Sequence, residues 1–296
     1  MSLSIILICL LAERFLLEHQ DLRQFNWFSD YSNWFERQEL PNWMQQGFGG
    51  IIILLLPPLL AATLLQQLLN VSLFGIPGTI FAALVLLYSF GPQDLDRQIS
   101  RFIEAREQGD EEQATSIAKE LLHDEPPPHD PSYSQAVAEG VLEQANSRIF
   151  AVIFWFLLLG PSGALLYRLA TLLPKLQTAN RQLDLFHSSK QLLAILDWIP
   201  ARLTAFAYAV AGSFEDALYG WRSYHEGRMD EFESNASGIL ICTGTGALRL
   251  STLLDADNAE QSSRHHYLAE TAMGLVWRSL VVWLVLLSLF ALAGWI

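Results

Sequence analysis

Between Glu39 and Asp94 the chain runs for 54 residues without a formal charge. Arg148 and Arg168 enclose another 19 uncharged residues, and 18 more follow Arg278. A helix crossing a bilayer needs about 20 predominantly apolar residues. Charged residues make up 17% of the chain, against roughly a quarter in ordinary globular proteins. These runs exclude an ordinary soluble domain and a secreted disulfide scaffold. They predict an all-α, polytopic helical integral membrane protein with kinked or re-entrant helices and two acidic helical extramembrane regions.

The long run divides in two. Residues 48–69 form one apolar segment, interrupted by Pro57-Pro58, and residues 73–90 form a second. Asn70, Ser72, Gly75 and Pro77-Gly78 supply the turn between them. Residues 1–12 are apolar, lack a basic lead-in and are followed at once by Glu13 and Arg14. That pattern predicts a retained membrane helix rather than a signal peptide. The whole chain then reads as membrane helices over 1–91 and an acidic helical region over 92–147. Membrane helices resume over 148–212, an extramembrane region with a glycine-rich loop covers 213–273, and a last membrane helix covers 274–296.

The net charge is −13, which excludes the electrostatic footprint of nucleic-acid binding. Region 92–147 has four basic and thirteen acidic residues, and 213–273 has four and ten. In the first, Leu95, Ile99, Phe102 and Ile103 follow helical spacing. Asp110 is placed to cap a second helix, and Asp130-Pro131 to start a third. Residues 168–190 read as a short basic loop, with Arg168, Lys175, Arg181 and Lys190 against Asp184. By the positive-inside rule that loop is the best cytoplasmic candidate. If every apolar segment crosses, the acidic region 92–147 falls on the opposite side. If Gly160-Pro161-Ser162-Gly163 marks a re-entrant helix, or 192–212 does not cross, both lie on the same side. The two cysteines, Cys9 and Cys242, are expected to be buried free thiols.

Four groups of residues could carry chemistry. Glu139 and Glu143 share one helix face and could hold Mg²⁺ through oxygen ligands or do acid–base work. A solvated acidic face is the bland alternative. Asp197 and Arg202 lie within an apolar segment, where ionisable residues are costly and usually paired or functional. Arg202 could bind phosphate or carboxylate bidentately, or simply pair with Asp197. Ser234-Asn235-Ala236-Ser237-Gly238 and Thr243-Gly244-Thr245-Gly246-Ala247 are small-residue stretches. They could let a backbone approach an anion, or let helices pack closely. His265-His266 are adjacent and so do not share a helix face.

Several pieces resemble one superfamily in order. Leu196-Asp197-Trp198-Ile199-Pro200-Ala201-Arg202-Leu203 resembles the D-x-x-P-A-R-L segment of CobD/CbiB membrane proteins. Glu139 and Glu143 resemble its E-x-x-x-E-N segment, and Gly160 to Tyr167 its G-x-x-G-A-L-L-Y run. Ser234 to Gly238 and Gly246-Ala247-Leu248-Arg249-Leu250 resemble its S-P-N-A-G and G-A-L-x-x-R-L elements. Within that superfamily the chain is similar to the AmpE family. The residues carrying this are Ala12-Glu13-Arg14-Phe15, Leu86-Leu87-Tyr88-Ser89 and Val276-Trp277-Arg278.

The AmpE resemblance implies a bacterial inner-membrane, multi-pass regulatory or sensor protein of β-lactamase induction and cell-wall fragment signalling. It further implies a functional link to the AmpD amidase and a muropeptide or nucleotide ligand, with a homodimer left open. The implied ligand set is Glu139, Glu143, Asp197, Arg202, Asn235, Gly238 and Arg249, with Glu139 and Glu143 as the metal ligands and Mg²⁺ and ATP as possible cofactors. The wider superfamily implies an alternative, an ATP-dependent amide ligase of cobalamin biosynthesis that joins adenosylcobyric acid to an aminopropanol or its phosphate. A transporter ranks third. The superfamily's early H-P-V motif has no counterpart here. Gln144, Ser147, Arg148 and Leu196 stand where it has asparagine, aspartate, glycine and aspartate. Those departures lean the expectation away from a working enzyme.

Overall fold

A computed structural model describes residues 2–15, 25–38, 47–71, 75–90, 95–122, 126–127, 132–180, 183–227, 235–250 and 266–293. The described residues are helical, with no strand among them. In chain order the helices are α1 (Ser2–Phe15), α2 (Asn26–Glu36), α3 (Gly47–Val71) and α4 (Ile76–Ser89). Next come α5 (Leu95–Gln108), α6 (Glu111–Leu122) and α7 (Ser132–Ala145), then a π-helical turn (Asn146–Phe150). The rest are α8 (Ala151–Leu159), α9 (Pro161–Asn180), α10 (Leu183–Ala211), α11 (Phe214–Gly227), α12 (Asn235–Ala247) and α13 (His266–Leu292). Among the described residues four segments are long and apolar enough to cross a membrane: Gly47–Val71, Tyr133–Leu159, Leu185–Ala211 and Tyr267–Leu292. The helical membrane class expected from the charge-free runs is therefore the one observed.

The chain divides into two compact units. The first comprises Met1–Pro92 and Ala151–Asp197 (together with Ile296), the second Gln93–Phe150 and Trp198–Trp295. In the first unit, α9 packs against α3, α4 and α8. Phe25, Phe28, Ile51, Leu54, Leu169 and Leu173 form its buried core. Pro57 and Pro58 lie inside a continuous α3. The turn into α4 is held by polar groups. Gln66 Nε2 donates to the Asn70 side-chain oxygen and to the Gly78 carbonyl, each at 3.3 Å. A Cβ at Gly78 would lie 1.9 Å from Asn70 Oδ1, so the clasp needs glycine there.

Gly160, at φ +68°, separates α8 from α9. A Cβ at Gly163 would fall 2.2 Å from the Trp155 carbonyl oxygen, so α9 starts in close contact with α8. The segment read as a basic loop is largely helical, because α9 runs to Asn180 and α10 begins at Leu183. Hydropathy marks apolar content; it does not mark where a helix stops. Asp110 caps α6 as expected, its Oδ1 accepting from the Gln113 N–H at 3.0 Å.

In the second unit α7 packs along α13, α6 and α12, and α5 packs on α6 and α13. Phe150 meets Tyr208 edge-on at 6.3 Å and Trp283 at 5.6 Å. Of the two readings of the small-residue stretches, close helix packing holds: residues 235–247 form helix α12 rather than a glycine-rich loop. Its small residues face α11 in a ladder. A Cβ at Gly238 would enter the Tyr224 ring, one at Gly220 would lie 2.2 Å from the Cys242 carbonyl oxygen, and one at Gly246 would lie 2.4 Å from the Asp216 carbonyl oxygen. Positions 216, 220 and 224 thus pair with 246, 242 and 238, one rung per helical turn in antiparallel register. Cys9 is buried as expected, whereas Cys242 is only half-buried.

The Gly220 rung is backbone against backbone and cannot be relieved by a rotamer change. Gly220→Ala is expected to lower stability by about 1–3 kcal/mol, as overpacking does. A thermal-denaturation series of the detergent-solubilised protein checks this, with Gly274→Ala, also inside a helix, as the control for glycine loss alone, since no atom lies within 4 Å there.

Candidate functional site

The acidic pair sits on α7. Glu139 and Glu143 are half-buried on successive turns. Glu139 Oε1 accepts from Gln135 Nε2 at 2.7 Å. Glu143 Oε1 accepts a short hydrogen bond from the Ser237 hydroxyl, in the first turn of α12. The first turn of a helix carries backbone N–H groups without intrahelical partners and a partial positive charge. One carboxylate of the pair is therefore bonded to a side chain in the first turn of a helix. Asn235 opens α12, its side chain lying outside the described ones, as do Ser234 and His265.

Gly244, on another face of α12, sets the distance to α7. A Cβ there would lie 2.7 Å from Leu142 Cδ1. Gly238 serves the same end on the opposite side, against Tyr224. The glycines of this motif make close helix approaches, and through them they place Ser237 against Glu143.

Arg249 lies just beyond the other end of α12, about 18 Å along the helix from Ser237 at 1.5 Å per residue. It adopts a left-handed backbone, φ 52°. Its Nε donates to Asp216 Oδ2 at 2.6 Å, and Ser213 Oγ donates to the same oxygen at 2.5 Å. The Ser213 N–H donates to the Ala247 carbonyl at 2.8 Å. These bonds join the start of α11 to the end of α12. The Ser213 hydroxyl and the Arg249 guanidinium hold the Asp216 carboxyl below its ordinary pKa.

Arg202 turns back along α10. Its Nη1 donates to the Trp198 carbonyl at 2.8 Å, and its guanidinium lies 4.0 Å from the Trp198 ring centroid. Asp197, in the first unit, accepts from the buried Tyr167 hydroxyl at 2.6 Å. Asp197 and Arg202 therefore engage separate partners. Of the residues expected to form a ligand set, Glu139 bonds to Gln135, Glu143 to Ser237, Arg249 to Asp216, Arg202 to the Trp198 carbonyl and Asp197 to Tyr167. Among the described residues no three His, Cys, Asp or Glu side chains are grouped to hold a metal ion.

Behind the acidic face lies a buried polar network that the sequence did not reveal. Arg148 Nε donates to Gln144 Oε1 at 3.1 Å, and Arg148 Nη1 to Gln98 Oε1 at 2.9 Å. Gln144 Nε2 donates to the Leu121 carbonyl, and Gln98 Nε2 to Glu120. Thr204 Oγ1 donates to Asn146 Oδ1 at 3.1 Å, and the Tyr208 hydroxyl to the Leu142 carbonyl at 2.8 Å. Gln144 and Arg148 are two of the positions where the motif departs from its pattern. Here they tie α7 and the π turn to α5 and α6. Ser237 stood inside a quoted motif, but its partner is 94 residues away in sequence, and no spacing rule links them.

An all-helical membrane protein with a paired acidic helix facing a small-residue helix narrows the class considerably. A family model described as CobD/Cbib protein matches residues 6–259, and this chain belongs to that family. Among curated proteins it is similar to "Cobalamin biosynthesis protein CobD" of Chromobacterium violaceum, 37% identical over 120 residues. That match covers 40% of this chain and 37% of the relative. The protein of the same description from Stutzerimonas stutzeri is 30% identical over 177 residues, 55% of each chain. The matches thus span between about a third and just over half of the relatives' length. No solved structure matches the chain at a significant level. These findings correct the expectation of a regulator of β-lactamase induction. The supported resemblance is to cobalamin-biosynthesis proteins, and nothing in the comparisons singles out AmpE.

Because Asp216 has a depressed pKa in the folded state, its bonds stabilise the fold above the ordinary carboxylate pKa of 3.8. That stabilisation is lost as pH falls through the lower folded value. Wild type is therefore expected to melt above Asp216→Asn at neutral pH, and the gap should close in acid. Melting curves of both proteins at a series of pH values between neutrality and strong acid check this.

Proposed function

We propose that this chain acts in cobalamin biosynthesis as an ATP-dependent amide ligase of the CobD/CbiB type, joining a corrinoid carboxylate to an aminopropanol or its phosphate. The observation that carries the reading is the Glu143–Ser237 hydrogen bond at the start of α12, with Glu139 one turn away on α7. Family membership and the named relatives support the pathway; this contact supports the chemistry.

An amide forms from a carboxylate only when one of its oxygens is made a leaving group. The γ-phosphoryl of ATP does this by transfer to the carboxylate, releasing ADP. The amine then displaces phosphate and loses a proton. Such a site must hold a polyphosphate, shield its charge and accept that proton. The free N–H groups in the first turn of α12 suit phosphate oxygens. Two half-buried carboxylates on successive turns suit Mg²⁺, which commonly takes one or two protein carboxylates and fills its remaining positions with water and phosphate. Glu139 and Glu143 would hold the ion, which would neutralise phosphate charge when bound. The Ser237 hydroxyl orients Glu143 and fixes which of its oxygens faces the ligand. A ligase that uses ATP would present this side of the second unit to the cytoplasm, in a multi-pass inner-membrane protein.

The test is complementation of a bacterial strain that lacks its own CobD protein. Growth is scored on cobyric acid and the aminopropanol without added cobalamin. The wild-type chain is expected to restore growth. In membranes carrying the purified protein, Glu143→Gln is expected to lower ATP-dependent amide formation by about 10²-fold or more, and Ser237→Ala by less. A wild-type chain that is present in the membrane yet neither restores growth nor forms the amide would overturn the reading.

A further inference from the structure

A groove of about 510 Å³ opens in the second unit, away from the acidic pair. It is lined by Phe206 and Ala209 of α10, Ala217, Leu218, Trp221 and Arg222 of α11, and Thr243 of α12. Its volume lies within the roughly 300–1,000 Å³ that hold small ligands and ligand tails.

Two observations bear on its occupant. The walls are almost wholly apolar, and Phe206 and Ala209 belong to Leu185–Ala211, a segment long and apolar enough to cross a membrane. Finally, Arg222 is exposed and has no hydrogen-bond or ion-pair partner among the described residues. Trp221 stands next to it, half-buried. Tryptophan and arginine at the end of an apolar surface are the side chains that settle at the headgroup level of a bilayer.

We infer that this groove binds one anionic glycerophospholipid, with an acyl chain along Phe206, Ala209 and Leu218 and the phosphodiester on Arg222. The apolar walls exclude a small hydrophilic anion as the whole ligand. Arg222, the one basic side chain among the described residues that line the groove, selects an anionic headgroup over a zwitterionic one. The site is separate from the Glu143–Ser237 contact and does not depend on the ligase reading.

The test is native mass spectrometry of the intact protein in detergent, titrated with phosphatidylglycerol and with phosphatidylcholine of the same acyl chains. One lipid per chain is expected to bind, with phosphatidylglycerol favoured about fivefold, the effect of one basic residue on an anionic lipid. Arg222→Ala should abolish the preference. Leu218→Trp, which fills the groove from a half-exposed position, should reduce binding of both lipids. The inference is overturned if phosphatidylglycerol shows no preference, if the preference survives Arg222→Ala, or if Leu218→Trp binds both lipids as wild type does.

Discussion

Where a side chain at position 220 would begin, the carbonyl oxygen of Cys242 already stands, 2.2 Å from the place of a Cβ. Helices packed through ordinary side chains lie 8–10 Å apart; glycine lets α11 and α12 come closer. Gly246 under Asp216 and Gly238 under Tyr224 repeat the device one turn to either side. Much of the second unit follows from this approach. It brings Arg249, at the end of α12, onto Asp216 near the start of α11. It turns a different face of α12 towards α7, where Gly244 lets Leu142 in. With both sides fixed, Ser237 has one register open to it, and that register meets Glu143.

The membrane class was legible because lack of charge over tens of residues has few physical solutions. Backbone groups must then be satisfied within the segment, and helices do this. Local punctuation was equally plain, as with Asp110 capping α6. The reading stayed divided where composition and packing disagree. Residues 235–247 are rich in glycine, serine and threonine, which have weak helix propensity, and they read either as an anion-approaching loop or as a closely packed helix. They form a helix because close packing against α11 and α7 outweighs propensity. A signal was present: small residues at 238, 242 and 246 recur every fourth position, a spacing that a loop has no reason to keep. The basic stretch around Lys175 misled for the opposite reason. Its charges marked a polar surface, but α9 runs through it to Asn180 and α10 begins at Leu183.

The candidate site was half legible. Glu139 and Glu143 show themselves by spacing alone, since four residues apart on a helix means one face. Their partner does not, because Ser237 is brought in by tertiary packing. The arginines illustrate a further limit. A guanidinium is always charged and presents donors in a rigid fork, so it engages whatever acceptor the fold supplies. For Arg249 that is Asp216, and for Arg202 it is the Trp198 carbonyl and ring. Sequence identifies a residue able to bind an anion; it cannot say that a nearer acceptor has already engaged it.

The departures from the family pattern take on a definite meaning when placed on α7. Successive helical positions are about 100° apart around the axis, so the 139–143 row and the neighbouring 144–148 row face different ways. The first row is half-exposed and carries the acidic pair; Gln144 and Arg148 in the second are buried and bonded to α5 and α6. A buried guanidinium is tolerated because these hydrogen bonds replace those it would make to water. The two substitutions therefore serve packing on a face that a ligand at Glu143 would not touch. Ser147 differs, because it continues the acidic row into the π turn. Its hydroxyl donates to the Gln144 carbonyl at 3.1 Å, where an aspartate would have supplied a third carboxylate. A cation held by this row would have two protein carboxylates, and the oxygens of a bound phosphate would have to complete its shell. Metal and phosphate would then bind better together than either does alone. That coupling follows from the loss of one carboxylate on the exposed row, whereas the changes on the buried row account for how α7 is held.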